Sequence, residues 1–207
     1  MNAPPSAPAG RLRDLSPFAA DTISRYPALF EELSGSGRLE RQSASGELAG
    51  LLTAHLAGTS GDDDFLKRLR LFRHRELVRI IWRDLHEGAD VTEALRDLSD
   101  LADAAINAAL DYADGLLRAR HGAPRAEDGS PCGPGVIAMG KLGGHELNFS
   151  SDVDLVFVFS GAGETDGART LSNEEYFRLL AQRVIDLLSR NTADGFVYRV
   201  DVRLRPF

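Results

Sequence analysis

Cysteine is almost absent from this chain of 207 residues: Cys132 stands alone, in a glycine- and proline-rich stretch. Neither a disulfide framework nor a cysteine-based zinc site can be built from it. No run reaches the ~18 consecutive apolar residues that a membrane-spanning helix needs, and the start, MNAPPSAPAGR, has no apolar core of a secretory signal. A cytoplasmic chain with no membrane partner is expected. A basic surplus is also missing, since 24 Lys and Arg stand against 31 Asp and Glu for a formal net charge of −7. A mainly electrostatic nucleic-acid binder is excluded on that balance. What is present, 43% hydrophobic and 27% charged residues, describes a globular protein of one large domain or two small ones.

The chain changes character once. Residues 1–14 begin with a proline- and alanine-rich stretch whose composition predicts a disordered tail. From Leu15 to Leu56 short apolar clusters at helical spacing, interrupted by Ser34-Gly35-Ser36-Gly37, predict small helices. Asp62, Asp63 and Asp64 place acids where a helix start favours them, and a long helix is expected from Phe65 to His86. Asp90 and Glu93 have capping-box spacing, opening a second long helix from Val91 to Arg120 with Leu95, Leu98, Leu101, Ala105, Ala109 and Tyr112 on one stripe. Residues 121–134 are all turn chemistry and are expected to link this helical region (15–120) to a different module (135–207).

In that module GVIAMG and VDLVFVFS read as buried strands, and Ser172 with Glu175 caps a helix whose apolar face is Phe177, Leu180, Val184 and Leu187 or Leu188. FVYRVDVRL alternates, with Phe196, Tyr198, Val200, Val202 and Leu204 apolar, which predicts a half-buried strand. The fold class is therefore α+β: a helical N-terminal part followed by a mixed sheet with flanking helices.

The chemistry concentrates in Gly140-Lys141-Leu142-Gly143-Gly144-His145-Glu146-Leu147-Asn148-Phe149-Ser150-Ser151-Asp152-Val153-Asp154. Side chains alternate along a strand, so Asp152 and Asp154 share a face, about 6–7 Å apart at Cα. Carboxylates that close repel unless a cation sits between them. Mg²⁺, which takes one or two carboxylates together with substrate phosphates and waters, is the expected cofactor. Gly140, Gly143 and Gly144 allow backbone N–H groups to approach a phosphate, and Lys141 adds a point charge. The order is neither that of a P-loop nor that of a dinucleotide-binding turn. Asp201, flanked by Arg199, Arg203 and Arg205, is a candidate third metal-binding acid, with an arginine left to meet a phosphate.

A basic stripe competes for attention. Lys67, Arg68, Arg70, Arg73, Arg75, Arg79 and Arg83 outnumber Glu76 and Asp84 along the first long helix, with Arg75, Arg79 and Arg83 one turn apart. A solvated face with Arg83 paired to Glu87 is the expected reading, and a stripe bordering the reactive cleft is the alternative. Phe72, Ile81 and Trp82 are expected in the core. His145 is expected to face solvent from a helix, with phosphate binding as the alternative.

GKLGGHELNFSSDVDLVFVF, with RVDVRLRP near the end and LRLFRHRELVRIIWRDL before it, resembles the nucleotidyltransferase domain of the bacterial glutamine synthetase adenylyltransferase/adenylyl-removing enzymes. The likeness runs from Phe65 to Pro206, and the features around the aspartates resemble the N-terminal, removing half. It implies a polymerase-beta-like nucleotidyltransferase fold, incomplete at its C-terminal end, where missing packing partners would leave apolar surface exposed. It implies Asp152, Asp154 and Asp201 as the metal-binding catalytic acids, and Gly140, Lys141, Gly143, Gly144, Ser151, Arg199 and Arg203 as residues that hold nucleotide. The partners implied are glutamine synthetase as protein substrate, a nucleotide (ATP, ADP or AMP) and phosphate, and a nitrogen-regulatory signalling protein acting on the full-length enzyme. Removal of AMP from an adenylylated tyrosine by phosphorolysis is the implied activity. Adenylylation from ATP, or an inactive truncated module that binds a nucleotide or partner, are the alternatives.

Overall fold

The computed structural model describes residues 7–85 and 89–202. The chain divides into two compact units, the first comprising residues 1–101 with Glu146–Phe149, the second Ala102–His145 with residues 150–207.

The first unit is helical. α1 (Ala7–Leu15), α2 (Pro17–Arg25) and α3 (Pro27–Gly35) are short and follow closely on one another. Prolines 17 and 27 stand at the first helical turn, where the missing N–H costs nothing, and the Ser16 side chain accepts the Ala19 N–H at 3.3 Å. Leu12, Ala19, Ile23, Phe30, Leu33, Leu39 and Val78 form one buried cluster, against which Ile81 and Trp82 pack. The expected disordered tail is thus corrected from Ala7 onward: Leu12 is 1% exposed, and one well-placed leucine gives this stretch an apolar anchor that its overall composition conceals. Residues 1–6 lie outside the described part. α4 (Glu47–Leu56) follows Gly46 and buries Leu48 and Leu52.

α5 (Asp62–Leu85) and α6 (Val91–His121) are the two long helices. Their starts behave as the sequence predicts, with three aspartates in the first turn of α5 and the Asp90 carboxylate accepting the Glu93 N–H at 2.8 Å. The basic stripe does not. Arg79 is fully buried, its Nε donating to Glu76 at 2.8 Å and its Nη2 to Asp97 at 2.9 Å. Arg38 reaches the same Glu76 through two bonds of 2.6 and 3.0 Å, and Arg75 adds a third arginine at 3.1 Å. Arg83 grips Glu93 with bonds of 2.7 and 2.9 Å, so the expected partner Glu87, outside the described residues, is not needed. A stripe that looks solvated along one helix becomes an internal ion network because Glu76 of the same helix is buried with it and Asp97 and Glu93 arrive from α6.

The second unit holds the strands. β1 (Pro124–Ala126) pairs antiparallel with β4 (Gly163–Thr165), so the expected linker 121–134 contains a strand. β2 (Pro134–Met139) pairs antiparallel with β3 (Val153–Phe159), and β5 (Val200–Asp201) joins β3 in parallel, giving the order β2-β3-β5. α8 (Asn173–Ser189) connects β4 to β5 and buries Tyr176, Phe177, Leu180, Val184, Leu187 and Leu188, with Ser172 as its cap. Phe177 stacks on Phe159 of β3 at 5.0 Å between ring centres. Val153 and Leu155 are fully buried, while their strand neighbours Asp154 and Val156 are only half-buried on the opposite face.

The last strand is shorter than its alternating pattern predicts. Val197 and Tyr198 both donate their N–H groups to Leu188 O, at 2.9 and 3.0 Å, which turns the chain ahead of β5. Val197 is consequently buried and Phe196 exposed, against the expected alternation, and pairing is confined to Val200 and Asp201.

Candidate functional site

β2 ends at Met139 and runs directly into the one-turn helix α7 (Gly140–Gly143). Two glycines here have steric reasons. Gly140 adopts φ +57, and a Cβ placed on it would lie 2.5 Å from Asp154 Oδ2; a Cβ on Gly143 would lie 2.5 Å from the Ala138 carbonyl oxygen. The turn is folded back so tightly on its own strand and on Asp154 that side chains are excluded. Lys141 is exposed, with Nζ 3.4 Å from Ser151 Oγ, so the two ends of the connection between α7 and β3 meet at this point.

Between them the chain passes through Leu147, which is buried and donates its N–H to Ser99 Oγ at 3.1 Å. Ser99 in turn donates to Leu95 O at 2.8 Å. The Ser99 bond to Leu147 was not read from the sequence; the signal was a buried serine in a long helix, where its hydroxyl can bond the backbone. His145, also in this connection, has φ +58, is exposed, and sits in a turn rather than on the expected helix.

Two of the three acids share one face of the sheet. Met139 is the register partner of Asp154, and Asp154 of Asp201, so Asp201 stands directly across the parallel ladder from Asp154. Asp152 stands one residue ahead of β3, outside the paired segment. Neighbouring strands lie ~4.8 Å apart, close enough for the two facing carboxylates to approach one ligand. Asp152 itself is engaged: Arg199 Nε donates to its Oδ1 at 2.5 Å. Further along this face Ile137 and Val158 are 48% and 42% exposed, which leaves an apolar strip beside the acids. Gly140, Lys141, Gly143, Gly144, Ser151, Asp152, Asp154, Arg199 and Asp201 thus belong to one unit, whereas Arg203 and Arg205 lie outside the described residues.

Among the described residues no three His, Cys, Asp or Glu side chains gather closely enough to hold a metal ion. What the strands bring together is Asp154 and Asp201 as register neighbours, with Asp152 just ahead of β3. The donor set nonetheless fits Mg²⁺ in kind, because that ion needs only one or two carboxylates and completes its shell with water and substrate phosphate. Asp154 and Asp201 offer such a pair.

A family profile described as glutamate-ammonia ligase adenylyltransferase matches residues 9–207. Three relatives bear the same name, bifunctional glutamine synthetase adenylyltransferase/adenylyl-removing enzyme. That of Thioalkalivibrio sulfidiphilus is 48% identical over 192 residues, covering 93% of this chain and 20% of the relative. Those of Pseudomonas putida and Pseudomonas aeruginosa are 46% and 45% identical over 93% and 95% of this chain, and again 20% of their own length is matched. The chain belongs to the glutamate-ammonia ligase adenylyltransferase family, and spans about one fifth of the length of the relatives it matches.

Proposed function

We propose that this chain carries a Mg²⁺-dependent nucleotidyltransferase site acting on glutamine synthetase, and that its reaction is removal of AMP from an adenylylated tyrosine by phosphorolysis. The observation that carries this reading is the parallel register of Asp154 with Asp201, beside a turn where a Cβ on Gly140 or Gly143 would meet Asp154 Oδ2 or the Ala138 carbonyl oxygen. The names of the relatives supply the substrate.

In this reaction an oxygen of inorganic phosphate attacks the AMP phosphorus, the bond from phosphorus to the tyrosine oxygen breaks, and ADP forms. The proton of the attacking hydrogen phosphate ends on the released phenol oxygen, so no oxidant or covalent enzyme intermediate is required. Asp154 and Asp201, with Asp152, would hold Mg²⁺, which supplies neutralisation of charge developing on the phosphates. Gly140 and Gly143 let the main chain approach the phosphates, and Lys141 places a positive charge beside them. These groups act by orienting reactants and by fixed charge, the two devices that dominate phosphoryl-type transfers.

The test is incubation of the chain with adenylylated glutamine synthetase, phosphate and Mg²⁺, following ADP. Release of ADP, reduced at least about 100-fold in Asp154→Asn, is expected, in line with loss of a charge-stabilising group. No release, or equal release by the variant, overturns the proposal. AMP transfer from ATP without phosphorolysis would reassign the direction.

A further inference from the structure

We infer that Arg199 is a resident counter-ion for Asp152, holding that carboxylate while no divalent cation is bound and turning to a nucleotide phosphate once Asp152 is engaged by one. The inference rests on the nucleotidyltransferase reading above and extends it to the resting state of the site.

Three observations carry it. Arg199 and Asp152 are 47 residues apart in sequence, yet Nε and Oδ1 are 2.5 Å apart, so the fold itself brings them together. Their side chains are 64% and 49% exposed, which makes the pair exchangeable: exposed ion pairs change an equilibrium constant by no more than about five-fold. The guanidinium also lies 6.0 Å above the exposed ring of Phe196, an aromatic rest that supports the arginine without burying it. Phe196 reaches the surface because the chain turns at Val197 and Tyr198, so the same departure from strand geometry that shortens β5 creates this rest.

The chemistry favours exchange over a permanent bond. Asp152 stands two residues from Asp154, and an arginine on it offsets one negative charge near the two register-paired acids while no cation is bound. A guanidinium matches carboxylate and phosphate oxygens with the same planar fork, so Arg199 can leave the first for the second without losing its hydrogen-bonding geometry. Lys141, at the other end of the turn, approaches the Ser151 hydroxyl and not a carboxylate, and is not part of this exchange.

The experiment uses Mn²⁺ as the probe, titrated into the 207-residue chain and read from the electron paramagnetic resonance of the free ion. Without nucleotide, Arg199→Ala is expected to bind Mn²⁺ about three- to five-fold more tightly than the parent. In an Asp152→Asn background the same change is expected to have little effect, because the bond it removes is already gone. At saturating Mn²⁺ the sign reverses, and Arg199→Ala is expected to bind ADP about ten-fold more weakly, as loss of a charge-assisted phosphate contact requires. Unfolding midpoints of both variants, close to that of the parent, check that the exposed substitutions leave the fold intact.

Equal tightening in both backgrounds, or none in either, overturns the resident role and reduces Arg199 to a distant charge. Unchanged ADP affinity overturns the transfer to phosphate. Binding of Mn²⁺ that Asp154→Asn abolishes but Arg199→Ala leaves untouched defeats this inference and spares the site, whereas a parent chain that binds no Mn²⁺ defeats both.

Discussion

Arginine meets carboxylate in both units, and the two settings could hardly differ more. In the helical unit Glu76 is fully buried and receives Arg38, Arg75 and Arg79, while Asp97 takes the second fork of Arg79. Burial alone would push the Glu76 carboxyl up, but the Arg38 hydrogen bonds and the charges of Arg79, Arg38 and Arg75 outweigh it and hold its pKa below the ordinary value. Asp97 tips the other way, its burial outweighing Arg79, so its pKa is raised. In the sheet unit Arg199 and Asp152 meet in open solvent. Charges withdrawn from water are tied to several partners and cannot be exchanged cheaply, whereas a pair left in water is available for ligands.

The sharpest way to break that contrast is to remove the centre of the buried network. Glu76→Ala leaves three arginines without their shared acid and is expected to cost about 3–5 kcal/mol, measured as a shift in the urea midpoint. Next comes Gly140→Ala. The substitution forces a residue with a Cβ into left-handed backbone, at about 1–2 kcal/mol, and drives Asp154 from its place, so activity is expected to fall by more than the loss of stability accounts for. Equal losses in folding and activity would show that the close approach has no functional weight.

Acid titration sharpens the comparison within the helical unit. The Arg41 hydrogen bonds are the main cause holding the Glu47 carboxyl near a pKa of about 2, below its ordinary 4.5. A depressed carboxylate stabilises the fold fully above pH 4.5 and loses that contribution as pH falls toward 2, so unfolding midpoints are expected to drop through this window, less steeply in Glu47→Gln. Asp97 opposes this slope, because a group whose pKa is raised on folding favours the native state as pH falls. At the small end, Arg178→Ala removes an exposed pair with Glu175 on α8 and is expected to change stability by less than about 0.5 kcal/mol.

The long elements were legible because their signals are local. α5 and α6 begin and end within a few residues of the positions that caps and periodicity predict, α8 starts at its predicted cap, and β2 and β3 occupy the two apolar runs, although β2 holds no buried residue where a buried strand is expected. The strand that carries Asp154 follows from its apolar run alone. The fate of Arg79 did not, since a one-turn stripe reads the same whether its partners are solvent-side neighbours or a buried Glu76 on the same helix and Asp97 on α6. Leu12 was hidden by the prolines around it, and the phase of residues 196–199 was hidden because two N–H groups converge on a carbonyl of α8. Ser99 could be seen as unusual but not as the acceptor for Leu147, a partner 48 residues away.

The parallel pairing of β5 with β3 carries a temporal meaning. A parallel neighbour cannot arrive through a tight hairpin; the chain must first lay down β4 and α8 and return. During synthesis the strand bearing Asp154 therefore emerges well before the one that bears Asp201, and the face they share is finished only when β5 docks. A nascent chain halted before Val200 would carry the glycine turn and Asp154 without the strand that faces it.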